Sequence, residues 1–144
     1  MNSLSGEECS LPRRAVPPAE RRRRRGLPPG SLPKGDAAHL AFPDETFEAA
    51  VSNFVFHEVR TQPDKREVVR EALRVVKKGG CFAFQDLFEK ESLYGDMTDF
   101  LSQLRQAGVQ ELHYIPHVER QGFIPRYVQA PWMLSDVGLL YGRK

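Results

Sequence analysis

No apolar run in this sequence approaches the roughly 18–20 residues needed to cross a bilayer. A membrane-spanning helix is therefore not expected. Nor is a secretory signal peptide, because no apolar stretch follows the basic residues near the start. A mitochondrial leader is disfavoured as well, since Glu7, Glu8, Glu20, Pro12, Pro17 and Pro18 spoil an acid-poor amphipathic helix. Aromatic residues are missing from the first 41 positions, and all fourteen come later. The first part of the chain thus lacks the large side chains that build an interior. Cysteine is scarce, with Cys9 in a polar stretch and Cys81 in an apolar run. Two such thiols do not make a disulfide framework, and a reducing, cytoplasmic compartment is the expectation.

The length of 144 residues suits one compact domain. The small net charge of +2 hides an asymmetry. Residues 1–35 carry eight Lys/Arg and three Asp/Glu, whereas residues 36–144 carry thirteen and sixteen. Six of the eleven prolines also fall within residues 1–34, beside the run Arg21–Arg25. Such a segment buries too little apolar surface to offset an ordering cost of roughly 1–2 kcal/mol per residue. Residues 1–34 therefore read as a disordered Pro/Arg-rich segment. Five arginines in a row are a candidate nucleic-acid patch, but a solvated tail is the commoner meaning of such a run, and nucleic acid is not the expected partner.

From Gly35 the pattern changes. Ala49-Ala50-Val51-Ser52-Asn53 suits a buried strand, and Phe54–Val59 either extends it or starts a short helical turn. Val68, Val69, Ala72, Leu73, Val75 and Val76 form one apolar stripe and predict a helix from about Asp64 to Lys77. Thr61 or Gln62 would cap it, Pro63 suits its first position, and Gly79 would end it in the left-handed conformation. Gly80–Leu87 reads as a strand buried on both faces. Met97, Phe100, Leu101, Leu104 and Ala107 mark a second helix, stopped by Gly108. Val109–Val118 and Val137–Tyr141 read as further strands, joined by a long aromatic loop over residues 119–134. The succession implies an α/β sheet ending in an antiparallel pair.

Four blocks then carry a resemblance. Gly35-Asp36-Ala37, Leu40–Glu48, Ala50-Val51-Ser52-Asn53, and Glu71-Ala72-Leu73-Arg74-Val75 running into Lys78-Gly79-Gly80 are similar, in order and spacing, to class I S-adenosylmethionine-dependent methyltransferases. The likeness is to the ubiquinone/menaquinone-biosynthesis, or type 11, kind. It covers about 110 residues, those from Gly35 to Lys144. It implies a Rossmann-like sheet of seven strands in the order 3-2-1-4-5-7-6, with the seventh antiparallel. On that pattern residues 35–144 are a partial methyltransferase domain holding strands four to seven, and the match stops before Gly35. No G-x-G occurs in the chain, and Pro28, Pro29 and Pro33 stand where the third strand would run.

The resemblance also implies a cofactor, S-adenosylmethionine, and places residues around it. Asp36 would accept from the adenine amino group, Ala37 would offer its backbone N–H, and Asn53 and Phe54 would border the methyl group. From the residues alone, Asp36 is equally a turn residue after a glycine, Asn53 a strand end and Phe54 core. His57 and Glu58 follow at the same edge, where a histidine suits general base chemistry near neutral pH. Asp86 ends the next strand, and Trp132 would wall an apolar substrate. His113 and His117 share one face of a predicted strand, but zinc would need two more ligands, so no metal is expected.

The function implied is methyl transfer to a small molecule, weak or absent in this chain because the glycine-rich loop has no counterpart. Alternatives are a non-catalytic truncated product acting through partner association, and an Arg-rich nucleic-acid-associated protein. A sheet lacking its first strand would expose the edge of the fourth and invite self-association.

Overall fold

Phe82, Phe84 and Asp86 are buried, while Cys81, Ala83 and Gln85 between them are only half-buried. That alternation is the period-two signature of a strand with one sealed face. It belongs to a computed structural model that describes residues 35–122 and 135–144. Four strands form one sheet: β1 (Phe47–Asn53), β2 (Val76–Asp86), β3 (Glu111–Ile115) and β4 (Gly138–Arg143). Their order is β1-β2-β4-β3. β1 runs parallel to β2, and β4 runs antiparallel to both β2 and β3. The chain is thus α/β, and the order reproduces strands four, five, seven and six of the Rossmann-like pattern, with the reversed strand in the expected place. Arg21–Arg25 and the rest of the Pro/Arg-rich segment lie outside the described residues, as does Trp132.

Among the described residues three α-helices connect these strands: α1 (Lys65–Arg74), α2 (Glu91–Tyr94) and α3 (Met97–Gln106). Asp64 caps α1 through a bond accepted from the Arg66 N–H at 3.0 Å, and Asp96 caps α3 through the Asp99 N–H at 2.9 Å. Each offsets donors that a helix start leaves unpaired. Val68, Val69 and Leu73 of α1 meet Phe82 and Phe84 of β2 and Phe100 and Leu104 of α3 in one core cluster. Burying these side chains supplies most of the drive to fold, about 1.5–3 kcal/mol for each large one.

Several expectations need correction. α1 stops at Arg74 rather than near Lys77, because Val76 is drawn into the sheet opposite Phe47. The Glu45 N–H donates to Arg74 O at 3.0 Å, the Phe47 N–H donates to Val75 O at 2.8 Å, and Lys144 Nζ reaches Arg74 O and Val76 O. Residues 76–79 enter β2 instead. There the register slips between the pairs Phe47–Val76 and Ala49–Cys81, and Gly79 holds a φ of +77°. Gly80 follows where a Cβ would lie 2.8 Å from Glu48 O and from Val76 Cγ1, so only glycine fits. β2 is sealed on one face rather than two. Cys81 is half-buried in β2, and the other cysteine, Cys9, lies outside the described residues. Among the described residues no helix is long and apolar enough to cross a membrane.

Candidate functional site

β1 and β2 are parallel, so both end at the same edge of the sheet. Asn53 closes β1 opposite Gln85, and Asp86 closes β2. In open α/β sheets this carboxyl edge is where ligands bind. The chain makes a tight exit from β1. Phe54 adopts a φ of +54° while its N–H still donates to Gln85 O at 2.8 Å. A left-handed conformation is unusual for a bulky residue, and strain of this kind costs on the order of 1–3 kcal/mol and clusters at functional sites. The chain then turns through a 3-10 segment, Phe56–Glu58. That settles the choice left open between strand and helical turn.

This turn drops His57 onto Asp86. His57 Nδ1 lies 2.7 Å from Asp86 Oδ1. The Asp86 side chain is fully buried, yet both its oxygens are used. Oδ1 also accepts from the Leu87 N–H at 2.8 Å, and Oδ2 accepts from the Phe56 N–H at 2.9 Å. Paired this way, a buried carboxylate escapes most of its desolvation cost. His57 keeps about 20% of its side chain exposed, and its Nε2 lies 3.2 Å from Glu58 Oε1. Glu58 is itself 68% exposed. The Phe54 ring stands edge-on to the imidazole, 6.4 Å between centroids. Tyr94 is buried near the same carboxylate. Burial, then the Asp86 charge, pushes its hydroxyl ionisation well up, although Oη makes no hydrogen bond of ordinary length.

The adenine-side candidates sit on a separate turn. Asp36 and His39 form an isolated bridge. Asp36 Oδ1 accepts from the Ala38 N–H at 2.9 Å and from Thr61 Oγ1 at 2.8 Å. The first of these bonds, then the second, holds its carboxyl below the usual range. Ala37 packs against the core cluster. The segment after it is strapped to α1. The Leu40 N–H donates to Glu71 Oε1 at 2.7 Å, and Arg74 donates to Leu40 O, Phe42 O and both Glu71 oxygens. The Glu71-x-x-Arg74 spacing therefore has a structural job: it holds the loop that follows Asp36 and Ala37.

The structure thus brings Asn53, Phe54, His57, Glu58 and Asp86 to one edge. It ties Asp36 to the approach to α1 through Thr61, which sequence reasoning had offered only as a helix cap. Tyr94 carried no sequence signal at all. His113 and His117 do not share a strand face, because β3 ends at Ile115 and His117 has a φ of +47°. His113 stacks on Tyr141 at 5.0 Å, while His117 sits between Glu89 and Glu119. Among the described residues no group of three or more His, Cys, Asp or Glu is placed to hold a metal ion.

Comparison with known proteins gives the following. Residues 13–84, half of the chain, match the methyltransferase domain family. The match begins upstream of Gly35, the start of the four sequence blocks. An arsenite methyltransferase of Aquipseudomonas alcaligenes is 37% identical over 62 residues, which are 43% of this chain and 17% of that protein. A structurally similar S-adenosylmethionine-dependent methyltransferase from Thermotoga maritima has a TM-score of 0.48 and 18% identity, covering 76% of this chain and 62% of that one. The [4+2]-cyclase SpnF has a TM-score of 0.47 and 19% identity, covering 76% and 55%. The chain therefore spans about a sixth of the curated relative's length and less than two thirds of either solved chain.

Proposed function

Because this chain belongs to the methyltransferase domain family, we propose that it transfers a methyl group from S-adenosylmethionine to a small molecule at the carboxyl edge of β1 and β2. The observation that carries this reading is the convergence of Asn53, Phe54 and the Asp86-held His57 at that edge. The residues present fit one side of the cofactor. Asp36 is a charged, outward carboxylate whose Oδ1 is already fixed by Ala38 and Thr61, and no described residue donates to Oδ2. That leaves an acceptor suited to an exocyclic amine. No G-x-G loop is present for the amino-acid portion.

When bound, the cofactor supplies an electrophilic methyl on a sulfonium. The chain's own part is positional. Asn53 and Phe54 border the reacting group, Asp36 and the Ala37 backbone hold the adenine, and His57 and Glu58 face the acceptor, with Trp132 as a candidate apolar wall. Placing two reactants in line accounts for much of the gain in such a displacement. The same reading gives this chain a weak grip on its cofactor. It also includes self-association through the β1 edge, which among the described residues pairs only with β2.

Isothermal titration of the full chain with S-adenosylmethionine, using S-adenosylhomocysteine as the second ligand, tests the cofactor reading. Saturable binding no tighter than about 100 µM, roughly 5.5 kcal/mol, is the expected result. Micromolar binding would show that the chain holds the whole cofactor, and a complete lack of binding by either ligand at millimolar concentration would remove the cofactor reading.

A further inference from the structure

Asp86 is sealed from solvent, so it reaches a substrate only through what it holds. Each of its oxygens accepts a backbone N–H, from Leu87 on Oδ1 and from Phe56 on Oδ2. Backbone N–H groups only donate, so both oxygens act as acceptors toward them. In the tautomer that donates to Oδ1, the third contact, His57 Nδ1 at 2.7 Å, carries the proton. That tautomer sets Nδ1–H inward and Nε2 outward. The second nitrogen lies 3.2 Å from Oε1 of Glu58, whose side chain is 68% exposed. The Phe54 ring packs at a steep angle to the imidazole, 6.4 Å between centroids. An orienting acid, an imidazole and an outward Nε2 are the parts of an oriented general base.

We propose that Asp86 is a positioning residue that presents His57 Nε2 as the proton acceptor for an N–H or O–H methyl acceptor. This rests on the methyl-transfer reading above. The acceptor's lone pair forms the new bond to the methyl carbon, and the carbon–sulfur bond breaks with its electron pair going to sulfur. The sulfonium becomes a neutral thioether, and the acceptor's proton moves to His57 Nε2. The resulting imidazolium lies between two carboxylates, Asp86 on Nδ1 and Glu58 on Nε2, with Glu58 on the solvent side to pass the proton on. An acceptor with no proton to lose, such as a thioether or a tertiary amine, gains nothing from this arrangement. The class of substrate favoured is therefore an amine, phenol or other protic nucleophile.

The test combines two readouts on the full chain. Long-range nitrogen–proton correlation spectra report which nitrogen of neutral His57 bears the proton. The expected result is Nδ1–H in the parent and a shift toward Nε2–H in Asp86→Asn, whose amide NH2 can face Nδ1. An Nε2–H tautomer in the parent, or an unchanged tautomer in a folded Asp86→Asn variant, would overturn the proposal. The second readout is single-turnover methyl transfer from labelled S-adenosylmethionine at millimolar concentration to a panel of protic amines and phenols. His57→Gln, at a partly exposed position, should lower the rate constant about 100-fold with little change in apparent cofactor affinity. An unchanged rate in His57→Gln would overturn the role given to Nε2. If the parent transfers no methyl group to any acceptor, the transfer reading fails, whereas the tautomer result still decides whether Asp86 orients His57.

Discussion

Replacing Glu71 by glutamine probes how the loop bearing Asp36 is held. Glu71 Oε1 accepts from the Leu40 N–H at 2.7 Å and from Arg74 Nη2 at 2.8 Å, and Oε2 accepts from Arg74 Nε at 2.8 Å. Glutamine keeps the shape and one acceptor oxygen. Its NH2 would point at the guanidinium, a donor facing a donor. Hydrogen bonds to charged groups contribute about 1.5–3 kcal/mol when well shielded. The pair is partly solvated, 17% exposed at Glu71 and 31% at Arg74, which lowers the return toward that of a surface pair. The expected loss is about 1 kcal/mol at neutral pH. With a urea slope of about 1–3 kcal/mol per molar, the midpoint should fall by roughly 0.5 M. Hydrogen exchange at the Leu40 amide should accelerate more than at Val68, deep in α1. The pH dependence gives a second check. Arg74, then the Leu40 N–H, holds the Glu71 carboxyl below its ordinary value of 4.5, against the opposing effect of burial. A value depressed by folding contributes stability that is complete above the ordinary value and is lost as pH falls through the folded one. The difference between parent and variant should therefore shrink below about pH 4. A gap that stays constant from neutral pH into acid, or Leu40 exchange that matches the parent, would refute the strapping role.

Two further outcomes follow from the packing and the sheet edge. Phe84 is fully buried, with its ring edge-on to Phe56 at 5.1 Å and tilted against Phe82 at 5.4 Å, so Phe84→Ala should destabilise by about 3–5 kcal/mol in a thermal melt followed by circular dichroism. A loss under about 1 kcal/mol would mean that this cluster is not the core. Val51 is 84% exposed on β1, an edge strand among the described residues, so Val51→Lys should reduce concentration-dependent association measured by light scattering; identical association in both forms would remove the β1 edge as its cause.

The sequence alone determined the succession of elements and the kind of sheet. The apolar run over residues 80–87 and the stripe from Val68 to Leu73 are local patterns, and such patterns report which segments are strand and which are helix. The same patterns put Asn53 and Asp86 at strand ends and His57 near that edge, which is enough to place them together once the strands are parallel. Helix limits were less legible. The Val75–Val76 stripe continues past Arg74, and only the pairing of Val76 with Phe47 across the sheet decides that the helix stops. The His113–His117 pairing failed for a similar reason, since a left-handed turn at His117 breaks a spacing that would hold in an extended strand. What only tertiary structure decided is the contact between His57 and Asp86. They are 29 residues apart, and their meeting depends on the register of β1 against β2 and on a strained exit at Phe54. Register is set by the whole buried face at once, and no short window of sequence contains it. A strand-end acid therefore proved to be a buried clamp on a histidine.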